Sequence, residues 1–223
     1  MKALCVALGG ALLLTAPSFA ANILINGDFE TGDLTGWTDP NGIGTVNAGR
    51  LDIAGGASPD GFVQQTFAAQ MVTTTVSAEF WTVNPADRSF NMFLRGSTSS
   101  GQINLRVVPG GNVQIFNSGS TWETLANLNG SVVTDGTTAN TITVTLNDYG
   151  ASLDYDVTVN GATESGVGFF QNAAPANVSR IAFDNDFGTT GFSVDNVSVS
   201  PVPEPGSALL ALLAGLGLLR RRR

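Results

Sequence analysis

The side chains available for chemistry in this 223-residue chain are mostly carboxylates, amides and aromatic rings. The sequence has no histidine, and its only lysine and only cysteine, Lys2 and Cys5, lie near the N-terminus. These three residue types supply most catalytic bases, thiol nucleophiles and soft metal ligands. Serine–histidine triads, thiol proteases, Schiff-base enzymes and zinc sites are therefore excluded from the main domain. Carboxylate, tyrosine or hard-cation chemistry remains.

Paired carboxylates could hydrolyse a glycoside if they lay about 5–5.5 Å apart, or about 6.5–9.5 Å apart for inversion. The glutamates of the main domain are scattered, with no second acid at a suitable spacing on the same strand: Glu30, Glu79, Glu123 and Glu164. Asp154 and Asp156 share one strand face, and Asp184 and Asp186 form a second acidic group. Either pair could bind calcium, but a solvated strand face is the more usual explanation. We expect a protein that is not an enzyme, with a glycan hydrolase as the least favoured alternative.

Aromatic rings beside amides and acids could form a sugar-binding surface. Trp37, Trp122 and Tyr149 are the candidate platforms. Tyr149 lies at the tip of a predicted hairpin, where exposure is expected. The alternative is that these rings are structural, since Trp37 closes a turn and Trp81 follows Phe80 in a predicted strand.

The net charge further limits the partners. The whole chain carries −8, but the region between residues 21 and 203 has 17 acidic residues against five arginines, a net charge of −12. Such a surface repels phosphate backbones, so we expect no nucleic-acid binding. Cations, neutral sugars or acid-tolerant surfaces are better partners.

The elements that must position these side chains are predicted to be β-strands. Apolar and polar residues alternate over 141–146, 153–159 and 191–199, and residues 147–150 are predicted to join the first two strands as a hairpin. Further strands are predicted over 49–53, 62–67, 72–83, 90–94, 103–108 and 113–116. The fold class is therefore all-β, with residues 21–200 forming a single antiparallel β-sandwich of jelly-roll size.

The N-terminal 20 residues have the pattern of a secretory signal peptide. Lys2 provides a positive charge, residues 3–14 form an apolar helix, and Ser18-Phe19-Ala20 is a small-x-Ala site. Cleavage is predicted between Ala20 and Ala21. A transmembrane anchor is the weaker alternative because the apolar run is too short. The mature protein would then contain no cysteine.

The C-terminal segment, residues 201–223, has three parts in order. Val202-Pro203-Glu204-Pro205 precedes an apolar helix over residues 207–219, and Arg220, Arg221, Arg222 and Arg223 end the sequence. This arrangement resembles the PEP-CTERM sorting signal of Gram-negative bacteria. The resemblance implies processing by an exosortase-type enzyme of the inner membrane, and delivery to the cell surface or to an extracellular polysaccharide matrix.

The length of this apolar helix favours transient membrane insertion. Thirteen helical residues span about 20 Å, which is less than the hydrocarbon core of about 30 Å. The four arginines orient the C-terminus toward the cytoplasm. The main domain is therefore expected outside the inner membrane.

Two further resemblances concern the main domain. Residues 23–30, followed by Gly36-Trp37, resemble the opening of galactose-binding-like jelly rolls. Residues 80–81, Trp122, 156–161 and 192–196 resemble a concanavalin-like sandwich. Both resemblances imply an all-β jelly roll.

The galactose-binding-like resemblance also implies a structural calcium ion. The matching ligand positions are Asp28, Glu30 and Asp195, and calcium takes six to eight oxygen ligands. The alternative is that Glu30 and Asp195 are exposed, or that they pair with Arg180 or Arg50. The leading function is an exported, non-enzymatic cell-envelope or matrix protein. The second is a carbohydrate-binding module acting on exopolysaccharide.

Overall fold

The computed structural model describes residues 21–56, 61–83, 88–97, 102–147, 149, 153–168, 170–184 and 190–202. The predicted signal peptide and residues 203–223 of the predicted sorting signal lie outside these ranges. Within them the chain forms strands joined by turns and loops, together with one 3₁₀ turn at Ala126–Leu128.

Thirteen strands are found in the described ranges. They are β1 (Gly44–Asn47), β2 (Arg50–Ile53), β3 (Phe62–Gln70), β4 (Thr74–Thr82), β5 (Asn91–Arg95), β6 (Gln102–Val108), β7 (Asn112–Phe116), β8 (Trp122–Thr124), β9 (Asn140–Leu146), β10 (Tyr155–Val159), β11 (Ala162–Val167), β12 (Val178–Asp184) and β13 (Phe192–Pro201).

The strands form two sheets in which neighbouring strands run antiparallel. The seven-stranded sheet has the order β1-β2-β13-β4-β9-β10-β11, and the six-stranded sheet has the order β3-β12-β5-β6-β7-β8. Strands distant in sequence are neighbours in both sheets, so long connections cross between them. The predicted all-β architecture with antiparallel sheets is confirmed.

The core lies between the two sheets because alternate residues of each strand point inward. In β9, Ile142, Val144 and Leu146 are buried while the residues between them are more exposed. A group of aromatic rings joins the sheets at the centre. Phe90 stacks on Phe80 with 4.1 Å between ring centroids, and also contacts the rings of Phe183 and Phe192.

The N-terminal segment is held against the body of the sandwich. The side chain of Gln65, which is only 3% exposed, accepts the Ile25 N–H at 2.7 Å and donates to the Ile25 carbonyl at 2.8 Å. The Ile23 N–H also donates to the Val199 carbonyl of β13 at 3.0 Å. The beginning and the end of the described chain therefore lie side by side.

The loop between β9 and β10 differs from its prediction. Leu146 pairs with Tyr155, and the Asn147 N–H donates to the Asp154 carbonyl at 3.1 Å. Strands β9 and β10 therefore form a hairpin as predicted, but Leu146 and Tyr155 are their last paired residues, so the connection is longer than the four-residue turn predicted over 147–150.

Gly111, in the turn between β6 and β7, occupies a position that only glycine fits. Its φ is +70°, and a Cβ atom there would overlap the Val132 carbonyl oxygen. We expect Gly111→Ala to lower the free energy of unfolding by about 2 kcal/mol, because steric overlap adds to the backbone strain. Urea unfolding measures the change.

Gly161→Ala is the matched control for that substitution. Gly161 also has a positive φ, +87°, but no atom lies within 4 Å of the position its Cβ would take. It should therefore report backbone strain alone, at about 1 kcal/mol. Equal losses in the two variants would contradict the contact between Gly111 and Val132.

Candidate functional site

The outward face of the six-stranded sheet carries an unusual set of side chains. In β5, Met92 and Leu94 belong to the core cluster, so Asn91, Phe93 and Arg95 point away from it. Phe93 is only 7% exposed and yet lies outside the core cluster. This strand therefore places an amide, an aromatic ring and a guanidinium on the side of the sheet that faces away from the core.

Strand register continues this surface across the sheet. Asn91 pairs with Arg106, Phe93 with Asn104, and Arg95 with Gln102 of β6. Amides, arginines and an aromatic ring therefore form adjacent rows on one face.

Two further strand pairs extend these rows. On one side, Arg180 and Asp184 of β12 pair with Arg95 and Asn91. On the other side, Phe116 of β7 pairs with Trp122 of β8. The same face therefore continues from β12 to the edge strand β8.

A cavity of about 270 Å³ lies on this face, and we call it the outer groove. Its lining includes Phe93, Arg95, Asn104, Phe116, Trp122 and Asp184. Gln102 and Gln171 complete the lining, and the Gln102 side-chain amide donates to the Gln171 side-chain carbonyl. The groove thus combines aromatic walls with hydrogen-bonding and charged groups.

Buried polar atoms without hydrogen-bond partners concentrate on this face. Both side-chain atoms of Asn91, which is 1% exposed, have no partner. The same holds for Asn104 Oδ1, Gln64 Oε1 and the Nε atoms of Arg95 and Arg180. Buried polar groups are normally paired, and each unpaired one destabilises a fold by about 1–3 kcal/mol. Their clustering favours a ligand-binding role for the groove.

The indole of Trp122 is held in place by its neighbours. The Arg106 guanidinium lies 3.7 Å from the indole centroid, and Phe116 contacts the indole at 4.9 Å between centroids. Arg106 is fixed in turn because its Nε and Nη2 donate to Gln114 Oε1 at 3.1 and 2.9 Å. Trp122, a candidate platform from the sequence, therefore lines the groove with its indole packed against Arg106 and Phe116.

Positive charge is concentrated in one part of the outward face. Burial lowers the pKa of Arg95, the nearby Arg180 lowers it further, and Asp184 acts in the opposite direction. Arginine nevertheless stays protonated at neutral pH. Two guanidinium groups thus share this part of the sheet with one carboxylate.

The other two candidate platforms lie elsewhere. Trp37 is 6% exposed, contacts the rings of Phe29 and Phe183 in the core, and donates its indole N–H to the Asn26 carbonyl at 3.1 Å. Tyr149 is half-buried against the core, and burial raises its pKa. Neither ring lines the outer groove, and their predicted roles in ligand binding stay predictions.

The predicted calcium ligands are only partly brought together. Burial raises the pKa of Asp195 and the hydrogen bond from the Asn196 backbone N–H lowers it, while Glu79 and, more weakly, Glu30 raise it and Arg50 lowers it. Asp28 accepts the Glu30 N–H through its carboxylate at 3.5 Å. In the described ranges, no group of three acidic side chains is arranged to hold a metal ion. Calcium binding here stays a prediction.

Several polar residues that line the outer groove, or lie beside it on the same face, were not identified from the sequence. Asn91, Asn104, Arg95 and Arg180 were assigned no role in binding. The sequence pattern that could have identified them is the alternation in β5, where Asn91, Phe93 and Arg95 alternate with two core residues. That pattern differs from β9, for example, whose outer face carries threonines.

The terminal segments are described only at their borders. Ala21 is exposed, and the Val202 N–H donates to the Thr73 carbonyl at 2.7 Å. Ala20, Pro203, Glu204, Pro205 and the arginines 220–223 lie outside the described residues. Where the structure describes the chain, none of its helices has the length and apolar character needed to span a membrane.

No family model matches this chain, and no curated protein matches it. Solved structures do match. An endo-1,3-β-glucanase from Streptomyces sioyaensis shares 13% identity over 84% of this chain and 99% of its own, with a TM-score of 0.58. A non-specific endo-β-1,3(4)-glucanase of family GH16 shares 11% identity over 85% of this chain and 97% of its own, with a TM-score of 0.55.

A carbohydrate binding module, CBM66 from Bacillus subtilis, is also similar. It shares 10% identity over 74% of this chain and 95% of its own, with a TM-score of 0.50. At these identities the similarity concerns the fold alone. The chain has a jelly-roll β-sandwich of the kind found in carbohydrate-binding modules and glycan hydrolases.

Proposed function

We propose that this chain is an exported, non-enzymatic envelope or matrix protein that binds polysaccharide through the outer groove. The observation that carries the proposal is the cluster of unpaired, buried polar atoms on the outward face of the six-stranded sheet. A sugar offers many hydroxyl groups and an apolar ring face. Asn91 and Asn104 provide both donors and acceptors for hydroxyls, and Trp122 provides an apolar surface for the ring.

The similar structures support this proposal through the fold they share. One is named a carbohydrate binding module and others are named glucanases. The groove lies on the face of a β-sheet, and such a face suits the binding of an extended polysaccharide. Fold alone does not assign a function, so the groove residues carry the argument.

The proposal of a non-catalytic role rests on the acids of the groove. Glycoside hydrolysis by the usual mechanism needs two carboxyl groups across the scissile bond. Among the described residues that line the outer groove, Asp184 is the only carboxylate. Binding without turnover is therefore the function that this lining supports best.

Export and sorting are proposed from the two terminal sequences. The signal pattern in residues 1–20 supports export across the inner membrane of a Gram-negative bacterium, and Val202 to Pro205 supports recognition by an exosortase-type enzyme. Residues 207–219 would contact the inner membrane transiently. Intact mass of the protein from envelope and medium fractions tests this: loss of residues 1–20 and a cut near 203–205 are expected. A chain in the envelope that retains Arg220 to Arg223 would overturn the matrix role.

Binding through the groove is tested with Trp122→Ala. We expect the affinity for polysaccharide to fall about tenfold or more, because the apolar surface that a sugar ring would bury against the indole contributes about 25 cal/mol per Å². Affinity electrophoresis against a panel of neutral and acidic polysaccharides measures the loss.

Trp81→Ala is the matched control for that variant. Trp81 also lies 3.7 Å beneath an arginine, Arg50, but belongs to the seven-stranded sheet. Circular dichroism checks that the Trp81→Ala variant is folded. The folded variant should bind polysaccharide as tightly as the unchanged protein. An equal loss of binding in both variants would count against the outer groove.

A further inference from the structure

The five arginines of the main domain are unevenly distributed. The region between residues 21 and 203 carries a net charge of −12. Yet Arg95, Arg106 and Arg180 all lie on the outward face of the six-stranded sheet, in adjacent rows. An acidic protein thus concentrates its positive charge where the groove lies.

Two of these arginines form an unfavourable pair. Arg95 and Arg180 are direct cross-strand partners, and like charges in that position destabilise a sheet. The Nε atom of each is buried and has no hydrogen-bond partner. Asp184 offsets part of the repulsion, but one carboxylate against two guanidinium groups leaves a net positive charge. An arrangement that weakens the fold in this way favours a functional explanation.

The planar guanidinium group suits one class of ligand group above others. Arginine donates two parallel hydrogen bonds to carboxylate, sulphate or phosphate oxygens. The amides of Asn91, Asn104 and Gln102 beside it suit the hydroxyls of neutral sugars. The negative charge elsewhere on the domain repels a polymer that carries an anionic group on every unit. The geometry and charge therefore fit a sparsely charged chain.

We infer that the outer groove selects an anionic polysaccharide whose acidic groups are widely spaced, and that one carboxylate or sulphate group binds Arg95 and Arg180. This inference rests on the proposed polysaccharide binding. It adds the chemical class of the ligand and the residues that recognise its charge.

The experiment compares polymers that differ only in charge. The probes are gellan, which has widely spaced carboxylates, and gellan whose carboxylates have been reduced to alcohols. Lightly sulphated dextran and dextran form the second pair. We expect the full-length protein to bind one acidic polymer at least about tenfold more tightly than its neutral form, since hydrogen bonds to charged groups contribute about 1.5–3 kcal/mol. The pair that shows the preference identifies the anionic group as carboxylate or sulphate.

Arg95→Ala and Arg180→Ala should abolish this preference while weak binding to the neutral polymer remains. Arg50→Ala is the matched control, because it changes the net charge equally but its guanidinium stacks on Trp81 of the other sheet. It should keep the preference. If Arg95→Ala does not fold, Arg95→Lys keeps the charge without the paired hydrogen bonds and should reduce the preference.

Four results would overturn the inference. Equal binding of acidic and neutral polymers would leave the proposed function intact but remove the charge selection. Equal loss in Arg50→Ala would indicate a long-range charge effect instead of a site. Binding of single-stranded DNA that competes with gellan would indicate recognition of phosphate. Absence of binding to every polysaccharide tested would overturn the proposed function as well.

Discussion

Replacing Phe90 by alanine is expected to lower the free energy of unfolding by about 3–5 kcal/mol, as for other large-to-small aromatic substitutions in cores. Phe90 is fully buried and stacks on Phe80 of the seven-stranded sheet at 4.1 Å. It also contacts Phe183 of the six-stranded sheet and Phe192 of β13. Its removal leaves a cavity at the point where rings from both sheets meet.

The loss is large compared with the total stability of a domain, about 5–15 kcal/mol. Urea unfolding followed by tryptophan fluorescence measures it. Phe116→Ala provides the control, because Phe116 is half-exposed on the outward face and should contribute about 1 kcal/mol to stability. If the two substitutions destabilised the protein equally, the sheets would not be joined through the cluster around Phe90.

Most of the strands could be predicted because their residues alternate clearly. Strands β9 and β13 have one buried and one polar face, and this period of two residues is visible in the sequence. Strand β12 was missed, although it lies second in the order of the six-stranded sheet. Its last four residues are buried on both faces, so Ile181, Ala182, Phe183 and Asp184 show no alternation.

The candidate site was harder to predict for a related physical reason. Ligand groups on a sheet face come from strands that are far apart in sequence but adjacent in space. Arg95 and Arg180 are separated by 85 positions in the sequence and become neighbours only because β12 pairs with β5. Trp122 could be selected as a candidate because of its residue type alone. No local sequence pattern predicts the strand order that places the arginines and amides beside Trp122.

Residues 28, 30 and 195 illustrate the opposite situation. Their selection rested on a resemblance that joins the two ends of the domain, and the structure does bring these ends together, since the Val197 N–H donates to the Gly27 carbonyl at 2.8 Å. Glu79 and Arg50 also act on Asp195. Arg50 was among the alternative partners expected from the sequence, and Glu79 was not. The sequence could thus predict that the two ends of the domain are adjacent. The charges around them also depend on Arg50 of β2 and Glu79 of β4, which strand pairing brings there.

Replacing Asn91 by leucine is expected to stabilise the fold and to weaken polysaccharide binding. Asn91 is 1% exposed and neither of its side-chain polar atoms has a hydrogen-bond partner. Leucine has a similar volume and carries no polar group, so the free energy of unfolding should rise by about 1–3 kcal/mol. The melting temperature should then rise by about 2–4 °C for each kcal/mol. Loss of a hydrogen bond to a sugar hydroxyl should lower affinity up to about tenfold.

Asn140→Leu is the matched comparison, because it makes the same change at a buried asparagine whose side chain is fully bonded. Asn140 Oδ1 accepts the Val133 N–H at 2.7 Å and the Asn160 side-chain amide at 2.8 Å. Asn140 Nδ2 donates to the Val133 carbonyl at 2.8 Å. This variant should lose about 2–4 kcal/mol of stability, because it leaves several buried groups unpaired. A rise in the free energy of unfolding for Asn91→Leu and a fall for Asn140→Leu would indicate that Asn91 serves binding and Asn140 serves folding. If Asn91→Leu were as destabilising as Asn140→Leu, Asn91 would be a structural residue and the main support for the groove would be lost.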